Sequence, residues 1–337
     1  MGYQSEAELE NKLIEKLKTQ GYDRVLINDY AELENNFREQ LNKFNIKALN
    51  NKPLTDKEFE RVLNILNGKS VLQSAIKLRE KIDFDREDGT KIYLKLLSEN
   101  AEDNIYQVSN QITVQGKYKN RYDVTILING LPLVQIELKR SGIDINEAIN
   151  QIDRYRIHSY RGLFHYIQIY VVSNSVETRY FANTDAQRLL KSLTFYWTTE
   201  TNERINKLED FSSSFFNKTR LLKNITRYMV INETDKNLIV MRPYQIYATE
   251  ALIRHALDTG KNGYIWHTTG SGKTLTSWKC ANLLSKEQSI KKVFFLIDRK
   301  DLDTQTKEEF NKFIITIRLV GKAIKKIVLM ILIKQKH

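Results

Sequence analysis

Two β-rich runs, residues 121–128 and 131–139, flank Asn129-Gly130. An Asn-Gly pair accepts the left-handed backbone of a tight turn, so this stretch is constrained to an antiparallel hairpin before anything else in the chain is considered. The register then decides whether its acids can meet. A two-residue turn pairs Ile128 with Leu131 and Asp123 with Ile136, which leaves Asp123 and Glu137 on opposite faces. A three-residue loop centred on Gly130, with a bulge absorbed at its positive φ, pairs Asp123 with Glu137, Val124 with Ile136 and Ile126 with Val134. The second register sets apolar against apolar, so burial and chemistry select it together.

In that register Asp123, Glu137 and Lys139 share one face of the hairpin. Two carboxylates a few ångströms apart cannot both stay ionised without a cation, and oxygen ligands of this kind suit Mg²⁺. Such a cation activates water for attack on a phosphodiester, with Lys139 orienting the water or stabilising the pentavalent state. The alternative reading of the same residues is an ordinary hairpin with a polar face. Residues Ile145 to Arg156 then predict a helix that brings Gln151 and Tyr155 onto one side, and Tyr166 to Val172 predict a buried strand.

A second constraint lies at Trp266-His267-Thr268-Thr269-Gly270-Ser271-Gly272-Lys273-Thr274, between a short apolar run (264–266) and a helix-like segment (275–284). Gly270 and Gly272 permit the tight turn that points successive N–H groups, including those at Thr269 and Ser271, at an anion. Lys273 reaches the β- and γ-phosphates of a nucleotide, and Thr274 offers its hydroxyl to Mg²⁺. The departure from the strict pattern is His267, where a glycine is expected; a chance glycine-rich helix start is the alternative.

At 337 residues the chain is long enough for two cores, and 41% apolar with 28% charged residues is ordinary for a globular protein. The single Cys280 excludes an intrachain disulfide framework, no Cys/His spacing suggests zinc, and the first residues lack the pattern of a signal peptide, which together predict a cytoplasmic setting. The net charge of +12 is a weak indication of nucleic-acid binding. No acidic residue follows Glu309, and seven Lys and Arg residues crowd the last 26 positions, so the first 309 residues carry a net charge of only +5.

Around these centres, Leu9, Leu13, Ile14 and Leu17 predict an amphipathic helix over 6–20 stopped by Gly21, with acids on a solvated face or one of them turned toward a metal site. Residues 30–101 read as helical scaffold with a fresh start near Pro53 and Asp56. Residues 183–240 read as polar and helical, with Phe195, Tyr196 and Trp197 as core contacts. Lys117, Lys119 and Arg121 are either DNA-phosphate contacts or a solvated strand edge. Pro243 opens a helix running through Ala248, Leu252 and Ala256.

Asp123 with Glu137-Leu138-Lys139, followed by Gln151-x-x-x-Tyr155, resembles the PD-(D/E)xK nuclease core of the R subunits of type I restriction enzymes, a RecB-like branch. The resemblance implies that Asp123 and Glu137 hold the metal, that Lys139 is catalytic, and that Gln151 and Tyr155 support cleavage. Arg242-Pro243-Tyr244-Gln245 resembles the element that reads adenine in superfamily 2 helicases and type I translocases, which makes Gln245 the candidate adenine contact; a plain exposed helix residue is the alternative. Residues 293–303 resemble motif Ia of the same proteins. No Asp-Glu dipeptide occurs in the chain, so the Asp-Glu-x-His motif is missing and ATP is expected to bind but to be hydrolysed poorly.

The expected fold is thus α/β, a PD-(D/E)xK restriction-endonuclease-like domain with helical elaborations (1–230) followed by an incomplete RecA-like P-loop domain (231–312). The Ile- and Lys-rich residues 313–337 are expected to be an aberrant tail, the mark of a frameshift in a longer reading frame; their uncharged run is too short to span a bilayer. The resemblance implies Mg²⁺ and ATP as cofactors and double-stranded DNA with methylation and specificity subunits as partners. A catalytically silent nucleotide- or subunit-binding remnant and a stand-alone RecB-like nuclease are the competing functions.

Overall fold

Helix α1 (Glu6–Thr19) begins where Ser5 and Glu8 satisfy each other's backbone N–H groups in a capping box, and it stops before Gly21, which takes φ +84°. Leu9, Leu13, Ile14 and Leu17 are buried as their spacing predicts. The computed structural model describes residues 5–67, 70–115, 119–158, 161–187, 189, 191–259, 261–290, 292–293, 310 and 312–313. The sequence readings at Lys117, over 294–303 and over the tail from 314 lie outside these residues.

After β1 (Asp23–Arg24) come α2 (Tyr30–Phe44), α3 (Asp56–Leu66) and α4 (Val71–Arg79). The start expected near Pro53 and Asp56 is observed, with Thr55 and Glu58 forming a second capping box. The scaffold does not stay helical to residue 101. A hairpin of β2 (Lys81–Asp85) and β3 (Lys91–Lys95) intervenes, because Ile82, Phe84, Ile92 and Leu94 alternate with exposed residues at period two. The chain continues through β4 (Tyr106–Gln115), β5 (Lys119–Ile128), β6 (Leu131–Leu138), α5 (Ile145–His158), β7 (Ile169–Ser173) and β8 (Thr178–Ala182). A 3₁₀ turn at Gly162–Tyr166 delays β7 by three residues relative to expectation. Next are α6 (Leu208–Phe215) and α7 (Lys218–Thr226), and then a small hairpin, β9 (Met229–Asn232) with β10 (Asn237–Val240), where the sequence reading expected helix.

The six-stranded sheet has the order β1-β4-β5-β6-β7-β8, mixed in direction: β4, β5 and β6 form an antiparallel meander, and β6 runs parallel to β7 across the α5 connection. All eight residues of β6 are buried, so this strand lies at the core of the sheet. The hairpin reconciles the two registers weighed from sequence. Asn129 (φ +52°) and Gly130 (φ +80°) form the two-residue turn with Ile128 opposite Leu131, yet an irregularity after Ile126 restores Ile126–Val134 and Val124–Ile136. The bulge therefore sits inside the strands, at Leu133, rather than at Gly130. The turn itself is pinned: the Asn129 amide donates to the Leu96 carbonyl at 3.0 Å, and its carbonyl oxygen accepts from the Ile105 N–H at 2.8 Å.

The described residues divide into two compact units, the first taking in the chain to Trp197 with Arg204–Ile231 and Lys236–Val240. Trp197 is fully buried there against Tyr180 and Phe215, a core contact as expected. The second unit contains α8 (Pro243–Asp258) and α9 (Lys273–Leu284), which pack together. No helix among the described residues is long and apolar enough to cross a membrane.

Candidate active site

Asp123 lies within β5, next to the Val124–Ile136 pair, and its Oδ2 accepts the backbone N–H of Leu138 at 2.8 Å. Glu137, near the end of β6, is fully buried; its Oε1 accepts from Lys139 Nζ at 3.0 Å. Its Oε2 is buried with no hydrogen-bond partner among the described residues. Lys139 is fixed beyond the end of β6 by its N–H, which donates to the Ser173 carbonyl at 2.8 Å. The sheet thus brings together the three residues that the sequence reading grouped.

Electrostatically this centre is short of positive charge. Burial, more than any neighbour, raises the Asp123 carboxyl from its ordinary 3.8 to about 6. Glu137 rises well above the usual carboxylate range, first through burial and then through the Asp123 charge beside it. For Lys139, burial is the largest single influence and lowers the ammonium, but the Glu137, Asp123 and Glu6 carboxylates together outweigh it and the net shift is upward. Buried carboxylates with an orphaned oxygen are what a divalent cation would satisfy. The donor set therefore fits a cation held by Asp123 and Glu137, although no group of three or more His, Cys, Asp or Glu side chains gathers among the described residues.

On α5 the Gln151 amide donates to the Tyr155 hydroxyl, which in turn donates to the Arg121 carbonyl at 3.3 Å. The Tyr155 ring lies edge-on to Tyr122, 4.9 Å between centroids. Its hydroxyl is pushed up by burial and next by the Glu137 charge. Arg121 is exposed, and its backbone carbonyl accepts from the Tyr155 hydroxyl.

The sequence reading did not single out Glu10. This α1 carboxylate is buried, accepts from the Asn110 amide at 3.3 Å and the Gln111 amide at 2.5 Å, and its charge reaches Asp123. A signal was available, since Glu10 stands in the same helical stripe as the buried Ile14 and Leu17.

In the second unit Gly270 and Gly272 both adopt φ +77°, turning the chain into α9 with Gly272 as its N-cap. Lys273 and Thr274 open the helix, while Thr269, Gly270 and Ser271 border an open cavity of about 840 Å³. The Lys273 ammonium donates to the Thr268 carbonyl at 3.0 Å. Gln245 is buried rather than exposed: its Oε1 accepts the Arg242 N–H at 3.0 Å, and its Nε2 donates to the Ser271 carbonyl at 3.0 Å. Tyr244, not anticipated from sequence, donates to that same carbonyl at 2.8 Å. A Cβ on Gly272 would stand 2.4 Å from Gln245 Nε2, so Gln245 packs directly on the loop. Burial and then the Lys273 charge hold His267 below its ordinary value, favouring neutral imidazole where the strict motif has glycine.

Comparison with known proteins bears on both sites. Residues 3–189 match the model of the type I restriction enzyme R protein N terminus, a span that contains the whole carboxylate centre. The chain belongs to the type I restriction enzyme R protein family. Within it, the endonuclease subunit SauCOLORF180P of Staphylococcus aureus (strain COL) is 57% identical over 93% of this chain and 34% of its own length. The subunit from Staphylococcus saprophyticus is 54% identical over the same shares. The EcoprrI endonuclease subunit of Escherichia coli is 41% identical over 74% of this chain and 82% of its own length. The chain thus spans about a third of the length of the staphylococcal R proteins it matches. Residues 244–336 of this R-family chain match the SWI2/SNF2 ATPase model, a span that covers the phosphate loop and runs through the basic tail.

Proposed function

We propose that this chain carries the nuclease centre and the ATP-binding loop of a type I restriction R subunit, which acts in the cytoplasm with methylation and specificity subunits. In this reading residues 1–230 form a PD-(D/E)xK domain that cuts double-stranded DNA, and residues 231–312 begin a RecA-like translocase domain. The observation that carries it is the fully buried Glu137, with one oxygen on Lys139 and the other unpartnered, beside Asp123.

Asp123 and Glu137 would hold Mg²⁺, which when bound supplies an activated water and positive charge at the scissile phosphate. The Leu138 N–H anchors the Asp123 carboxylate through its Oδ2. Lys139, held by Glu137, presents its remaining ammonium protons to a phosphate oxygen or to the attacking water. Tyr155, tied to Gln151 and the Arg121 carbonyl, keeps α5 against this pocket.

In the second unit the loop residues Thr269–Thr274 would cradle the ATP phosphates. Gln245, already bonded to Ser271, is placed to couple adenine recognition to the loop only if that bond is exchanged on binding. Replacing Asp123 or Lys139 by Ala in the assembled restriction complex should abolish DNA cleavage and leave binding of a fluorescent ATP analogue in place; cleavage that survives either change removes the assignment.

A further inference from the structure

Gln111 lies in the middle of β4 with φ +61°, a left-handed conformation that non-glycine residues seldom adopt within a strand. It falls between the pairs Asn110–Val124 and Ile112–Tyr122, and therefore stands opposite Asp123 with no shift of register around it. Successive residues of a strand ordinarily project to opposite faces. Asn110 and Gln111 nevertheless both reach the Glu10 carboxylate, Asn110 Nδ2 to Oε2 at 3.3 Å and Gln111 Nε2 to Oε1 at 2.5 Å. A left-handed residue is what allows two neighbours in one strand to converge on a single carboxylate. The Gln111 side-chain Oε1 is itself buried and unpartnered among the described residues, as is Oε2 of the fully buried Glu137. A left-handed residue thus stands opposite Asp123, and two unmet oxygens lie on the strands that flank it.

We propose that Gln111 is a positioning residue of the nuclease centre, its left-handed backbone turning its amide onto Glu10 so that the charge of this α1 carboxylate is held where it acts on Asp123 and strengthens divalent-cation binding by Asp123 and Glu137. Glu10 supplies the negative charge, and Gln111 acts only through it. The inference rests on the metal-dependent nuclease reading given above.

Calorimetric titration of the full 337-residue chain with Mn²⁺ tests it. Wild type is compared with Gln111→Gly, Glu10→Gln, the double variant and Asp123→Ala, and each is also melted without metal. Glycine adopts positive φ freely, so Gln111→Gly relieves the strain while deleting the amide. It should weaken Mn²⁺ binding about 10-fold without lowering the metal-free unfolding midpoint. Glu10→Gln should weaken binding by a similar factor, and Gln111→Gly should add nothing to it, because the two act as one unit. Wild-type affinity in Gln111→Gly, additive losses in the double variant, or a midpoint that falls in Gln111→Gly each overturn the proposal; a falling midpoint would mean that the residue serves the strand instead. Unchanged binding by Asp123→Ala would overturn the nuclease reading itself, whereas loss there with retention in Gln111→Gly overturns only the role of Gln111.

Discussion

Two lysines in this chain make bonds of equal length to very different ends. Lys139 lies 3.0 Å from the buried Glu137 carboxylate, and Lys273 lies 3.0 Å from the exposed Thr268 carbonyl. The first bond satisfies only half of its partner, since Glu137 Oε2 stays unpartnered inside a sheet whose strands are fixed on both sides. The second belongs to a loop that meets its own needs: Ser271 accepts from Tyr244 and Gln245, and Lys273 covers Thr268. One site is rigid and incomplete, so a ligand would complete it. The other is open and internally bonded, so a ligand would have to exchange bonds with it. The difference follows from support, because a hydrogen-bonded sheet tolerates an unmet group that a loop would relax away.

Glycine substitutions offer the strongest way to break this contrast. A Cβ at Gly130 would come 2.7 Å from the Phe37 Cα in a residue at φ +80°, so neither the turn nor α2 can yield. Gly130→Ala should cost at least about 3 kcal/mol and carry the carboxylate centre with it. At Gly270 no atom lies within 4 Å of the added Cβ, and only the positive φ is penalised. Gly270→Ala should cost about 1–2 kcal/mol. Denaturant unfolding of the two variants checks the order; equal losses would show that the loop is as firmly held as the sheet.

The next test is one of pH. The folded Asp123 carboxyl titrates near 6, above its ordinary 3.8, so between those values the native protein holds a proton that the unfolded chain releases. The stability this contributes is fully present below pH 3.8 and is lost as the pH rises from there through 6. At pH 7 without metal, Asp123→Asn should therefore melt higher than wild type, by about 3 °C. Adding Mg²⁺ should reverse the order, because only the wild-type centre gains stability from binding. A variant that melts lower than wild type in the absence of metal would mean that the Asp123 charge is already compensated within the protein.

How much of this was legible beforehand differs from residue to residue for physical reasons. The pairing of Val124 with Ile136 was readable because matching apolar side chains leaves few registers, but the bulge at Leu133 was not, since the Asn129-Gly130 turn and the strands were each satisfied separately. Alternation at Ile82, Phe84, Ile92 and Leu94 did encode the second hairpin; it went unread among helical neighbours. Glu10 had a signal, a charge in a buried stripe, while Gln111 had none, because no side chain announces a left-handed residue in mid-strand. Gln245 was found by its motif, yet its buried bonds to Arg242 and Ser271 depend on how the loop folds back on α8, which the motif does not encode.

The smallest expected effect sharpens the reading of the phosphate loop. Tyr244→Phe removes only the hydroxyl that donates to Ser271 at 2.8 Å, leaving the Gln245 amide on the same carbonyl. The loss in stability should be about 0.5–1.5 kcal/mol, the net worth of one partly exposed hydrogen bond. Its consequence for nucleotide depends on what the bond is for. If Tyr244 pre-sets the turn between Gly270 and Gly272, loosening it makes the nucleotide bear the ordering cost, and affinity for a fluorescent ATP analogue should fall about 3-fold. If affinity rises instead, Tyr244 and Gln245 act as a restraint that phosphate must displace, and the loop would be closed against its ligand in the same sense that the carboxylate centre is open to its own.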